Sequence, residues 1–187
     1  QFTAAMIKTG ITRELFCSSE GAMIDQSFPL TMGTITLSVQ KGSACPEICY
    51  DYVGDLRGWE VIEGKNCYNV SFHDFSLERT KDTIELAGAE FLKTTKDEVV
   101  VVTDPHFNAL LVHEIVGHPT EADRALKMET AYAGRSWLFQ SREKNQIEYR
   151  IASSLVNAFS DPTKMGFGHY TYDAEGTPVR PVTVIKN

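Results

Sequence analysis

The sequence predicts an α+β fold in which helices pack on an antiparallel sheet. The first forty residues contain β-prone runs and a period-two alternation of apolar and polar residues, typical of a half-buried strand. Apolar residues then recur at helical intervals from residue 74 onward. Finally, the apolar run at 99–102 is followed at once by a helix-start signal, which predicts a motif-bearing helix after a buried strand.

The N-terminal part predicts an antiparallel meander. Residues 11–19 and 22–28 form two short β-prone runs, and Ser19, Glu20 and Gly21 lie between them as a turn in which glycine supplies a positive φ. Residues 34–40 alternate between apolar and polar side chains, which predicts a further strand with one wet face.

The sequence of residues 41–70 predicts an irregular loop. Four glycines and Pro46 interrupt this segment, so only a short strand at 59–62 is expected within it. Cys45 and Cys49 have a spacing that fits neither a zinc knuckle nor a thioredoxin motif. They are either ordinary reduced thiols or a metal or redox pair.

An amphipathic helix is expected from about residue 74 to residues 93–96. Asp74 or Ser76 is its predicted N-cap. Its predicted sheet-facing stripe consists of Leu77, Ile84, Ala87 and Phe91.

The most informative stretch begins at the apolar run 99–102. Asp104 is a suitable N-cap and Pro105 a suitable first helical residue, so a helix is expected from Pro105. An apolar stripe should fix this helix against a core: Phe107, Leu110, Leu111 and Ile115. A helix-permissive segment from Thr120, a strand over 147–159, a loop over 161–178 and a final strand complete the expected order.

This pattern predicts two parts of the chain. Residues 1–98 are expected to be the end of an N-terminal α+β domain with a meander, a loop insertion and one helix. Residues 99–187 are expected to begin a metal-site domain that continues past the end of the chain.

The helix after Pro105 carries the sequence HEIVGH, with His113, Glu114 and His118. Two histidines and a carboxylate suit zinc, but five-residue spacing places the histidines about 140° apart on a regular helix. Gly117 weakens the helix, and Pro119 cannot donate to the carbonyl of Ile115 and disfavours the α region for His118. The helix should therefore break, or widen into a π-type turn, between Ile115 and Pro119.

Two interpretations of the histidines stay open. The histidines are either metal ligands or ordinary side chains, one packed and one capping a helix end. A third ligand is needed, and Glu121 and Asp123 are the local candidates, although Glu121 also suits the dipole at the first turn of a helix and Asp123 suits a solvated helix face. The remaining histidines belong to no motif: His73, His106 and His169.

Charge and hydropathy exclude other classes of function. The net charge is −7, from 25 acidic and 18 basic residues. Direct nucleic-acid binding needs a basic face, so it is not expected. No apolar run approaches the roughly 20 residues that a membrane-spanning helix requires.

The chain resembles the TldD/PmbA family, once labelled modulators of DNA gyrase. The resemblance is carried by LFCSSEGAMIDQSFPL, VVVTDPHFNALLVHEIVGHPTEAD, YAGR and GFGHYTYDAEGTPVRPVTVIKN, in the family's order. It implies a cytoplasmic zinc metallopeptidase in which His113 and His118 are ligands and Glu114 is the catalytic acid–base residue. It also implies a central fragment, a third ligand that is a cysteine beyond Asn187, and an insertion at 41–67.

The resemblance further implies unfolded peptides as substrates, and a homodimer or a TldD–TldE-type heterodimer. The alternative is a protein of another class, a non-catalytic subunit that binds peptides or modulates a topoisomerase. Retention of stoichiometric zinc distinguishes the two.

Overall fold

The computed structural model describes residues 2–128, 130–132, 134–138 and 149–186. Two compact units are present: Gln1–Lys93 with Ser160–Val182, and Thr94–Phe159 with Thr183–Asn187. The architecture is α+β with an antiparallel sheet, which confirms the predicted fold class. The domain boundary expected at residues 98 and 99 stays a prediction. Among the described residues, no helix is long and apolar enough to cross a membrane.

The first unit is built on a long β-hairpin. Strand β1 (Phe2–Cys17) pairs antiparallel with β2 (Met23–Val39), from Phe2 opposite Ser38 to Cys17 opposite Met23. The predicted turn is confirmed, because Gly21 has a φ of 96° and its N–H donates to the carbonyl of Ser18. The runs 22–28 and 34–40, expected as two strands, belong to the single strand β2.

A third strand was missed by the sequence prediction. Strand β3 (Glu47–Asp55) pairs antiparallel with residues 31–39 of β2, so the sheet has the order β1-β2-β3. The expectation of an irregular segment at this position is therefore wrong. The expected strand at 59–62 is also wrong, because Trp59–Val61 forms a 3-10 turn. Pro46 precedes β3, where it removes no ladder hydrogen bond.

Helix α1 (Phe72–Leu86) covers this sheet, but with a different face from the one predicted. Its N-cap is Ser71, whose hydroxyl accepts from the backbone N–H of Asp74, and the helix ends well before residue 93. The predicted apolar stripe is wrong: Leu77 is 47% exposed and Ile84 is 51% exposed. The buried helix residues are instead Phe72, Phe75 and Thr83. The core combines two of them with residues of β2 and β3: Ile35, Leu37, Val53, Phe72 and Phe75.

The second unit departs most from the prediction. Residues 99–102 are not a strand, and their valine side chains are 65–95% exposed. An all-apolar strand is stable when both of its faces are covered, and the part of the chain that the structure describes supplies no sheet around it. Of the strand expected over 147–159, the described residues 149–157 form no strand, and residues 158 and 159 begin the short strand β4 (Ala158–Ser160), which pairs with β5 (Val182–Ile185).

Candidate metal centre

The candidate centre lies on a helix whose start was predicted. Helix α2 (Pro105–Val112) has Asp104 as its N-cap, and the Asp104 carboxylate accepts from the N–H of Phe107 at 2.7 Å. Pro105 occupies its first turn, where a missing N–H costs nothing. The expected burial of its apolar stripe is wrong, since Phe107 is 49% and Leu110 57% exposed and no residue of α2 is buried.

A π-helical segment (His113–Gly117) continues α2, which confirms the predicted π-type distortion although it begins two residues earlier than expected. The N–H of His118 donates to the carbonyl of His113, five residues back. Residues five apart therefore take the stacked relation that residues four apart have in an α-helix.

The chain continues as helix α3 (His118–Thr120), with Pro119 buried in its first turn. His118 keeps α-helical angles, φ −57° and ψ −42°, so the expectation that Pro119 would displace it from the α region is wrong. Backbone hydrogen bonding at this point already spans five residues, so the N–H that Pro119 lacks is not needed for an α-type bond to Ile115. The helix can therefore continue without a break. Thr120 supports the turn, because its hydroxyl donates to the carbonyls of Val116 at 3.0 Å and Gly117 at 2.9 Å.

The π turn brings His113, Glu114 and His118 together. The two imidazole ring centroids are 4.3 Å apart, and the ring planes make an angle of 78°. The Glu114 carboxylate lies 3.9 Å from Nε2 of each histidine. One ligand atom from each of the three residues lies within 4.8 Å of the others. Zinc–nitrogen bonds are about 2.0–2.1 Å long, and three ligand atoms this close together could hold one ion.

The far nitrogen of His118 has its own partner. Nδ1 of His118 lies 2.6 Å from Oε1 of Glu121, and Oε2 of Glu121 accepts from Nε of Arg124 at 2.6 Å. The hydrogen bond from His118, reinforced by Arg124, lowers the pKa of Glu121. The sequence predicted Glu121 only as a third ligand or as an acid that suits the dipole of a helix first turn. This pairing was missed, although the i,i+3 spacing was a signal for it.

A concave cavity with a volume of about 440 Å³ opens beside two of the three residues. Glu114 and His118 line it together with two cations, Arg124 and Arg135. The buried hydroxyl of Ser136 donates to the carbonyl of Pro119 at 2.6 Å and so ties this wall to helix α3. No sequence pattern singled out Ser136.

The other candidate ligands lie outside the centre. Asp123 accepts from the backbone N–H of Arg124 at 2.8 Å. His73 pairs with Asp74, and Nδ1 of His169 lies 2.9 Å from the carbonyl of Pro162. Within the described ranges, the only group of three or more His, Cys, Asp or Glu residues able to share an ion is the one at 113, 114 and 118. That group includes neither Cys45, which is exposed, nor Cys49, which packs partly against the sheet core.

Comparison with known proteins points to one family. Residues 96–187 match the family model described as the PmbA/TldA metallopeptidase C-terminal domain. A metalloprotease of Methanothermobacter thermautotrophicus is 25% identical over 172 residues, which are 92% of this chain and 34% of that protein. A metalloprotease of Methanocaldococcus jannaschii is 31% identical over 118 residues, which are 63% of this chain and 23% of that protein.

A metalloprotease of Archaeoglobus fulgidus is 25% identical over 134 residues, which are 71% of this chain and 26% of that protein. The chain thus spans about a quarter to a third of the length of these relatives. No solved structure matches the chain significantly.

Proposed function

Since the chain belongs to the PmbA/TldD metallopeptidase family, we propose that the full-length protein is a zinc-dependent peptidase whose metal is held by His113 and His118. The observation that supports this most directly is the π turn, which stacks two histidines five residues apart and leaves the Glu114 carboxylate 3.9 Å from Nε2 of each. The relatives are named metalloproteases.

The donor set supports zinc as the metal. Two imidazole nitrogens beside a carboxylate suit a borderline-soft ion, and catalytic zinc sites combine three protein ligands with one open position. Calcium and magnesium prefer sites made wholly of oxygen atoms. His113 and His118 are two of the proposed ligands, and the family resemblance supports a cysteine as the third.

Glu114 is the proposed acid–base residue. A zinc ion supplies two things to such a site: it polarises the peptide carbonyl and makes a water molecule acidic enough to deprotonate near neutral pH. The Glu114 carboxylate accepts the proton of the attacking water and then delivers it to the nitrogen of the leaving amine. One carboxylate oxygen of Glu114 lies 3.9 Å from Nε2 of His113 and the other lies 3.9 Å from Nε2 of His118, so the carboxylate is close to the place of an ion that both histidines would hold.

The proposed substrates are unfolded peptides, bound across the concave cavity that Glu114 and His118 line. The proposed assembly is a homodimer or a TldD–TldE-type heterodimer in the cytoplasm. These proposals rest on the family resemblance.

The decisive experiment compares wild-type full-length protein with Glu114→Gln. Loss of the proton acceptor should lower kcat by about 10²- to 10⁴-fold on an unstructured peptide, with zinc still bound. Asp123→Asn is the matched control, because it removes one acid from the next helical turn and should leave kcat unchanged. Equal turnover in Glu114→Gln and wild type would rule out this mechanism.

Zinc content tests the metal separately. Protein purified without chelators should contain one zinc per chain. Protein that contains none and takes up none would instead support the non-catalytic subunit as the function.

A further inference from the structure

We propose that Glu121, anchored by Arg124, is a positioning residue for the metal ligand His118. It fixes the imidazole with its proton on Nδ1 and with Nε2 directed toward the ion. This inference rests on the proposed function only in taking His118 to be a ligand.

The first support is the direction of the His118 ring. Its Nδ1 lies 2.6 Å from a carboxylate oxygen of Glu121, whereas its Nε2 lies 3.9 Å from the carboxylate of Glu114. A carboxylate has no proton to donate at neutral pH, so Nδ1 must carry the hydrogen. In the neutral imidazole Nε2 is then the nitrogen with a free lone pair, and it is the one that lies in the His113–Glu114–His118 group.

The second support is that the Glu121 side chain is not used to cap the helix that follows it. Glu121 has φ −62° and ψ 129°, an extended conformation between α3 and helix α4 (Ala122–Ala125). It occupies the N-cap position of α4, but its side chain makes no capping hydrogen bond. The hydrogen bonds of Glu121 at this junction are made by its backbone. Its N–H donates to the carbonyl of His118, and its carbonyl accepts from the N–H of Ala125.

The third support is the anchor on the opposite carboxylate oxygen. Nε of Arg124 donates to Oε2 of Glu121 at 2.6 Å, so each carboxylate oxygen has one partner. His118, Glu121 and Arg124 follow one another at a spacing of three residues, and all three side chains are at least half covered. With both oxygens held, Glu121 supports a ligand rather than serving as the third ligand itself.

The chemical consequence is a preorganised ligand. A carboxylate that accepts from the outer N–H of a metal-binding histidine fixes its tautomer and raises its basicity, and loss of such a partner lowers metal affinity by about 10- to 100-fold. Among the contacts of the described residues, no carboxylate accepts from Nδ1 of His113, the nitrogen that faces away from Glu114.

The experiment uses full-length protein and metal alone, without a peptide substrate. Long-range ¹H–¹⁵N correlation spectra of the metal-free protein at about pH 8.5, well above the usual histidine pKa of about 6.5, report the imidazole tautomer. Wild-type His118 should show the Nδ1–H tautomer, and Glu121→Ala should shift it toward Nε2–H. Zinc affinity, measured by competition with a chromogenic chelator, should fall about 10- to 100-fold in Glu121→Ala and by less in Arg124→Met. Asp123→Asn, the matched charge control, should keep both properties.

Three results would overturn the proposal. The first is an Nε2–H tautomer for His118 in wild-type protein, which needs no variant to fold. The second is a folded Glu121→Ala protein, judged by circular dichroism, whose tautomer and zinc affinity equal those of Asp123→Asn. The third is a cobalt(II)-loaded Glu121→Gln protein whose visible absorption bands show a lower coordination number than those of wild type, since that would make Glu121 a direct ligand. The tests of Glu121 measure the tautomer, the zinc affinity and the cobalt bands, and none of them needs peptide turnover. If Glu114→Gln were as active as wild type, the proposed peptidase mechanism would be ruled out while these three measurements kept their meaning, so the two proposals can fail separately.

Discussion

The backbone N–H of His118 donates to the carbonyl oxygen of His113, five residues before it. This one π-type bond decides whether the two imidazoles share a side of the helix, because a regular α-helix would hold them about 140° apart. The predictions for the centre therefore concern what maintains this bond.

Pro119 is expected to maintain it. The Pro119→Ala variant regains an N–H that can bond to the carbonyl of Ile115, which favours a regular α-helix through this segment. Zinc affinity of the full-length protein should fall by more than about tenfold, which corresponds to 1.4 kcal/mol. Isothermal titration calorimetry with zinc measures this, and unchanged affinity would show that the π turn does not depend on Pro119.

Gly117 is expected to be dispensable for the π turn. Its φ is −59°, which any residue adopts, and an added Cβ would meet only the carbonyl oxygen of Val112, at 3.9 Å. Gly117→Ala should therefore raise the free energy of unfolding, by up to about 1 kcal/mol, and leave zinc affinity unchanged. A loss of affinity in this variant would mean that the weak helix propensity of glycine, and not Pro119, permits the turn.

Gly54 is expected to be sensitive to substitution in the first unit. A Cβ at this position would lie 2.0 Å from a ring atom of Phe167, so this ring, which is 44% exposed, must move away from the strand to make room. Gly54→Ala should lower the free energy of unfolding by about 1–3 kcal/mol, as overpacking does. Urea denaturation measures the change. Gly10→Ala is the matched control within the same sheet, because nothing lies within 4 Å of its Cβ, and equal effects of the two substitutions would contradict the prediction.

Tyr68 should titrate far above the usual range for tyrosine. Partial burial, reinforced by the nearby charges of Cys67 and Asp51, raises the pKa of Tyr68 from 10.0 to about 12. The folded pKa is higher than the unfolded one, so Tyr68 contributes stability that is complete below pH 10 and is lost as the pH rises toward 12. The difference between the ultraviolet titrations of wild type and Tyr68→Phe isolates this group. A midpoint near pH 10 would contradict the prediction.

Local signals were predicted well from the sequence. The turn at Gly21 and the cap at Asp104 depend on backbone angles and on hydrogen bonds within a few residues, so the residue types alone identify them. The π distortion before Pro119 is of the same kind, since a missing N–H and an added residue act within one turn.

Long-range features were predicted poorly. Strand β3 has an alternating pattern, yet the breakers around it suggested a loop, and only its pairing with β2 gives it a partner. Residues 99–102 show the reverse error, because an apolar run favours a strand only where neighbouring chain covers it.

The sequence by itself determined the chemistry of the candidate centre: His113, Glu114 and His118, with Pro119 expected to favour the turn that gathers them. Tertiary structure alone decided which face of α1 is buried and that Ser136 ties its segment to Pro119. The physical reason is range. Backbone hydrogen bonds within one helical turn depend on neighbouring residues, whereas burial and side-chain partners depend on which distant segments the fold brings together.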